Sequence, residues 1–308
     1  MASTLETCAN TAGRPGSPSA GDTLYQIDTK QIITWDGSAW RLYDSDGTAV
    51  NDADITDLSP HLWLDPMHSA PFFTDSGKGT AVTADGARVG CFADRSGNGF
   101  DFVQSTAADK PMLCTEAGVG AVPSLCYSNT DQLDFVGDSD SEITAANITI
   151  FWVWRVAPEG NVFFLQGTAN TNEPRLRING SSGSLVYNWN PFGSADGAGG
   201  GVAFSSTVVS DASVASRHIY CLKTNSTANR TYNYQNGGSD IGNSAAAPTG
   251  VYLEDTETTK MFVGNLNYAS PHWLFEYIVF DSSLSDANVN KVNSYLGNKH
   301  GITVTDVS

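Results

Sequence analysis

Three acidic residues at alternate positions, Asp138, Asp140 and Glu142, form the best metal-ligating pattern in the chain. Alternation puts them on one side of an extended strand, and hard carboxylate oxygens so spaced can coordinate Ca2+. Neither the central glycine nor the closing bidentate glutamate of an EF-hand loop accompanies them. A second acidic run, Glu254-Asp255-Thr256-Glu257, lies in a threonine-rich stretch and reads as a solvated turn. The five histidines (His61, His68, His218, His272, His300) are scattered, and none falls in a G-x-S-x-G or HExxH setting. The five cysteines (Cys8, Cys91, Cys114, Cys126, Cys221) show no C-x-x-C or Cys/His metal spacing. Their odd number argues against a complete disulfide framework, so buried free thiols are expected. No nucleophile, base or metal set assembles. The chain is expected not to be an enzyme and to need no cofactor, with Ca2+ at the acidic trio as the one exception to test.

Aromatic residues are the remaining candidates for contact chemistry. Tyr187, Trp189 and Phe192 lead into a glycine-rich run, GSADGAGGG at 193–201. Aromatic faces stack on sugars or fill protein interfaces, and glycines let backbone approach a ligand closely. Tyr232 and Tyr234 alternate in the same manner, and ordinary packing explains both groups equally well. Trp152 and Trp154 are expected in the core, on one face of one strand.

These residues sit in a chain of 308 residues, long enough for one large domain with a small appendage. Only 16% of residues are charged, yet acids outnumber bases 33 to 16, for a formal net charge of −17. Phosphate recognition needs clustered Lys and Arg, so nucleic acid is excluded as a partner. No apolar run approaches the ~20 residues that span a bilayer, so membrane insertion is not expected. The first residues, MASTLETCANTAG, show neither the basic nor the apolar part of an export signal.

The elements that must carry the candidates are mostly strands. Residues 1–20 are small and polar and read as an arm that is flexible or ordered by a partner. Residues 21–43 alternate Tyr25 with Ile27 and Ile33 with Trp35. Turns follow at Asp28-Thr29-Lys30 and Asp36-Gly37 before Trp40 and Leu42, which predicts a two- or three-stranded meander. So small a meander is marginal alone. Tyr25, Trp35 and Trp40 are therefore its candidate anchoring residues. Residues 44–59 are acidic and polar and read as a linker. From residue 60 onward, short β-rich runs alternate with Gly, Asn, Asp and Ser. Strands are predicted near 61–65, 90–94, 100–104, 133–136, 148–156, 162–166, 175–178, 185–189, 217–224, 231–235, 260–264 and 273–280. That density indicates an all-β sandwich or barrel. One helix is predicted at about 285–299, with Ser285 as cap, Asp286 at its positive end, an apolar stripe of Val289, Val292, Tyr295 and Leu296, and Gly301 as the stop.

The order of these segments resembles the laminin G-like, concanavalin A-like jelly roll of bacterial and phage surface proteins. The resemblance is carried by HLWLD (61–65), by DRSGNGFDFVQ with Asp94, Gly97, Asn98 and Gly99, by ITIFWVWRV (148–156), and by HWLFEYIVFDSSLSDANVNKVNSYLGNKHGI (272–302). Asn288 departs from the acidic residue usual at that helix position. Residues 15–43 separately resemble a short module of phage tail-fibre and head-fibre proteins.

The resemblance implies an all-β, concanavalin A-like jelly-roll β-sandwich with one C-terminal helix and a small N-terminal β-meander. Its expected domains are 1–43 as anchor, 44–59 as linker and 60–308 as sandwich. The Glu-x-Asp-x-x-Glu strand of glycoside hydrolases on this fold is absent, as are the Gln-x-His and Tyr-x-Lys strands of alginate-lyase-type relatives. Arg175-x-Arg177 alone reads as a pair on one strand face. The expectation is a non-enzymatic phage virion protein of the particle exterior, a head decoration, head fibre or tail component. Its partners would be other virion proteins and copies of itself, a trimer by analogy with fibres. The alternative expectation is a carbohydrate-binding protein that recognises a host surface glycan.

Overall fold

The computed structural model describes residues 6–8, 15–19, 22–26, 31–35, 40–42, 52–115, 122–127, 131–135, 143–156, 163–166, 175–181, 184–190, 217–240, 251–253, 260–263 and 272–307. The chain divides into two compact units. One comprises Met1–Ser59, Asn236–Ser239 and Ser285–Ser308, and the other Pro60–Gln235 and Asp240–Leu284.

In the first unit, strands β1 (Glu6–Cys8), β2 (Thr23–Gln26), β3 (Gln31–Trp35) and β4 (Trp40–Leu42) form one sheet in that order. The meander is present as predicted, with Trp35 directly opposite Trp40 across the last hairpin. The arm is not featureless: Glu6–Cys8 pairs with β2 in parallel. Backbone N–H and C=O groups form such a ladder without apolar side chains, which is why composition did not reveal it. The acidic stretch read as a linker contains a short helix, α1 (Asp52–Thr56), whose Ile55 is fully buried.

The predicted C-terminal helix, α2 (Asp286–His300), belongs to the same unit. Ser285 caps it by accepting the Asn288 N–H, so the substitution at 288 leaves this half of the cap intact. Gly301 ends the helix in the left-handed conformation, φ 68°. Within the unit, the Tyr295 hydroxyl donates to Asp52 at 2.8 Å, and the Val307 N–H donates to the Asn290 side chain at 2.7 Å.

The second unit is an all-β sandwich. Its strands begin with β5 (Leu62–Leu64), β6 (Phe72–Phe73), β7 (Cys91–Phe92), β8 (Phe102–Val103), β9 (Met112–Thr115), β10 (Pro123–Tyr127) and β11 (Gln132–Phe135). Next come β12 (Ile143–Thr144), β13 (Thr149–Val156), β14 (Phe163–Gln166), β15 (Arg175–Ser181) and β16 (Ser184–Asn190). The last are β17 (His218–Asn225), β18 (Arg230–Gln235), β19 (Val251–Leu253), β20 (Lys260–Val263) and β21 (His272–Phe280). One sheet runs β18-β17-β13-β21-β10-β9, with β5 also on β21, and the other runs β16-β15-β14-β20-β11-β8-β7-β6. A separate pair joins β12 to β19.

Apolar residues of both sheets meet in one core cluster. From β13 come Ile150, Trp152 and Trp154, as predicted for the two tryptophans. Cross-strand register puts Trp152 between Tyr220 and Tyr277, and the Trp152 and Tyr220 rings stack at 5.8 Å. The other sheet contributes a row of Phe72, Phe92 and Phe102 at directly opposite positions. Phe151, Val153, Ile219, Cys221, Ile278 and Phe280 point away from that cluster and are buried too. Burial on both faces explains why 148–156 is apolar at every position but Thr149 and Arg155 rather than alternating.

The expectation of five free thiols is corrected. Cys114 and Cys126 are joined by a disulfide across the β9–β10 pair, with Cα atoms 5.8 Å apart. Neither strand was singled out in the sequence, so nothing there brought the two cysteines together. Cys91 and Cys221 are free and buried, and burial pushes the Cys91 thiol up to about 12.

Candidate functional site

The DRSGNG turn is a hydrogen-bonded knot that holds strand β5. Asp94 Oδ1 accepts from the backbone N–H groups of Trp63 and Ser96, both at 2.9 Å. Its Oδ2 accepts from the Ser96 hydroxyl at 2.6 Å and from the N–H groups of Gly99 and Phe100 at 3.0 and 3.2 Å. Gly97 and Gly99 take positive φ values of 96° and 81°, as left-handed turn positions require. Asn98 donates from its side chain to the His61 carbonyl at 2.8 Å. The residues that carry the family resemblance therefore do structural work here.

Beside the turn lies a buried polar network. Arg95 pairs with Asp65 and lies over the Trp63 ring at 4.1 Å, while the Trp63 indole N–H donates to Glu276 at 2.8 Å. Trp63, Asp65 and Glu276 are all buried. A buried carboxylate needs such partners, so this network orients β5 against β21 rather than exposing chemistry.

Two groups of cations on aromatic rings occupy the face of the β13 sheet that points away from the core. At one edge, Lys223 lies over Tyr232 at 4.7 Å and Tyr234 at 6.0 Å, and Arg230 lies over Tyr232 at 4.7 Å. The two tyrosine rings are nearly parallel, 6.4 Å apart. Tyr234 and Lys223 are buried, and Arg230 is tied to Asp240 at 3.0 Å. The second group lies at the other end of the same strands. Arg155 is opposite Trp273, with its guanidinium carbon 3.8 Å from the indole centre, and Arg217 lies 4.4 Å over Phe275. Arg155 and Trp273 are half-buried, whereas Arg217 is 9% exposed. Desolvation holds Arg155 below the usual arginine range, and the charge of Arg217 adds to the effect. Burial lowers Arg217 to about 10.

The residues singled out in the sequence are distributed unevenly. Tyr187 and Trp189 fall on β16, the outermost strand of its sheet among the described residues, opposite Ile178 and Leu176. Their side chains, and Phe192 with the glycine-rich run, lie outside the described residues. Asp138, Asp140 and Glu142 also lie outside them. Among the described residues, no group of three or more His, Cys, Asp and Glu is placed to hold a metal ion. Tyr25 is on β2, and Trp35 and Trp40 close the β3–β4 hairpin, with Trp35 half-buried. The Arg155 and Arg217 group was missed. Its only sequence signal is one arginine at the end of an apolar run and another just before a second run.

No family model matches the sequence, and no curated protein is similar to it. Solved structures do match, at low identity. The binding domain of botulinum neurotoxin serotype G is 12% identical over 79% of this chain and 54% of that one, with a TM-score of 0.53. Botulinum neurotoxin type C, whose cell entry is described as dependent on interaction with two ganglioside molecules, gives 12%, 80%, 53% and 0.50. The binding domain of botulinum neurotoxin DC, solved with rat synaptotagmin II, gives 12%, 79%, 52% and 0.50. The chain thus spans about half the length of the solved chains it matches. What it shares with them is the β-sandwich fold.

Proposed function

We propose that this chain is a non-catalytic recognition module that binds a receptor on a cell surface, with a glycan as the ligand class. One observation carries this reading: the sandwich is similar to that of toxin binding domains, which are described as engaging gangliosides in one case and synaptotagmin II in another. A rigid two-sheet scaffold with loops at its ends suits recognition, because loops can vary while the core is kept. Individual sites of this kind are weak, and several copies on one particle or array raise avidity without new contacts. Non-catalytic action fits the sequence, in which neither the paired-carboxylate strand of glycoside hydrolases on this fold nor a nucleophile motif is present.

A second reading places the module on the exterior of a phage particle, with residues 1–43 as anchor and the sandwich facing outward. Its support is the resemblance of residues 15–43 and of the closing strand and helix to phage surface proteins. Homo-oligomeric assembly belongs to that reading. Both readings meet in one test, a glycan array probed with multimerised full chain alongside binding to whole cells. Selective, saturable binding to a glycan subset or to one cell type is expected. Absence of binding to every glycan and every cell type tested would reject the recognition reading.

A further inference from the structure

We propose that Cys114 and Cys126 form a redox lock: the sandwich folds with both thiols reduced, and the bond closes by thiol–disulfide exchange once the chain reaches an oxidising medium, with Cys114 reacting first. The lock is independent of what the sandwich binds.

The fold brings the two cysteines together without needing the bond. Leu113 is opposite Leu125 across the β9–β10 pair, and both belong to the core cluster. Successive side chains on a strand point to opposite faces, so Cys114 and Cys126, each one residue further on, lie on the face away from that core. β9 has ties besides its ladder to β10. The Leu113 N–H donates to the Ala87 carbonyl at 2.9 Å, the Leu113 carbonyl accepts from the Gly86 N–H at 2.7 Å, and the Thr115 N–H donates to Asp85 at 2.6 Å. Core packing and backbone bonds thus set the register. That register holds the two Cα atoms 5.8 Å apart, within the span of a disulfide. A pair so placed closes in a unimolecular step, with its orientation already fixed.

Access to the two sulfurs differs. Cys114 is half-buried, whereas Cys126 is 3% exposed. Exchange requires that a thiolate reach its partner, so the Cys114 thiolate attacks a small-molecule disulfide such as glutathione disulfide. A mixed disulfide forms on Cys114, and one glutathione thiolate leaves. The Cys126 thiolate then attacks the Cys114 sulfur, which closes the bond within the chain and expels the second glutathione. Two electrons pass from the cysteine pair to the glutathione pair, and the two thiol protons end on the released glutathiones. Cys91 and Cys221 are 0% and 2% exposed, so neither competes for the exchange. Cytosolic thiols are kept reduced, whereas disulfides persist in oxidising surroundings. A bond on the outer face with one sulfur in reach follows its medium.

The test makes the full chain in a reducing bacterial cytosol, alkylates its thiols in intact cells and locates them by peptide mapping. Reduced Cys114 and Cys126 are expected there, and chain purified under reductant should keep native circular dichroism and tryptophan fluorescence. Glutathione disulfide should then close the bond. In Cys126→Ser a glutathione adduct should accumulate on Cys114, while in Cys114→Ser the adduct on Cys126 should form about tenfold or more slowly. Both variants should react alike in urea, which assigns the difference to burial in the fold. Peptide mapping of wild type at early times reads the order of attack without a substitution. Chain already crosslinked in the cytosol, reduced chain that is unfolded, or an early adduct on Cys126 rather than Cys114 would overturn the lock.

Discussion

Replacing Asp94 should separate the two halves of its carboxylate by their hydrogen bonds. In Asp94→Ala, four backbone N–H groups lose their acceptor: Trp63 and Ser96 on Oδ1, Gly99 and Phe100 on Oδ2. At about 0.5–1.5 kcal/mol net per bond, the sum spans roughly 2–6 kcal/mol. Asp94 is half-buried, so water can reach part of the turn, and a loss of about 3 kcal/mol is expected. For a unit of this size that lowers the melting temperature by about 6–12 °C.

Asp94→Asn keeps one oxygen and turns the other into an NH2 group. Two N–H donors keep their acceptor, while the others, with the Ser96 hydroxyl, face a donor. About half the full loss should follow, roughly 1.5 kcal/mol. Urea unfolding followed by tryptophan fluorescence and by circular dichroism reads both variants, and Trp63 lies at the end of one of the broken bonds. An Asp94→Asn variant as stable as wild type would refute the reasoning. So would an Asp94→Ala loss below about 1 kcal/mol, because water would then be replacing the carboxylate.

Alkaline pH should destabilise the sandwich through Cys91. Its thiol is neutral in the fold up to about 12, whereas the unfolded thiol ionises near 9, so between those values the unfolded chain binds fewer protons and stability falls as pH rises. Melting curves from pH 7 to 11 should show that decline, weaker in Cys91→Ala, and an identical slope in the variant would rule the thiol out as its source. The Cys114–Cys126 disulfide closes a loop of sequence separation 12, so a Cys114→Ser/Cys126→Ser double variant should lose about 2–3 kcal/mol in urea unfolding. Wild type in reductant should shift in the same direction, and no shift in either would mean that the bond contributes nothing to stability.

Much of this molecule was legible from local pattern. Every run predicted as a strand overlaps an observed one, and α2 begins and ends within a residue or two of its predicted bounds. Ser285, the apolar stripe and Gly301 each act within one or two helical turns, so the sequence alone determines them. The same holds for the turn after Asp94, where glycine, asparagine and aspartate meet backbone demands a few residues away. The run at 148–156, apolar except at Thr149 and Arg155, marked a strand, and the tryptophans lie in the core as expected.

Only the tertiary structure decided which distant residues meet. Trp63 finds Glu276 213 residues away, and Cys114 finds Cys126 because β9 and β10 pair. Strands of two residues, such as Phe72–Phe73 and Cys91–Phe92, carry too short a pattern to show their partners, and Glu6–Cys8 pairs through backbone alone. Arg155 and Arg217 carry no shared motif and become neighbours through the register of β13 and β17. Local preferences extend over one turn of helix or a few residues of strand. Register and sheet order are chosen by the whole unit as it buries apolar faces, so the groups they bring together are invisible until the chain has folded.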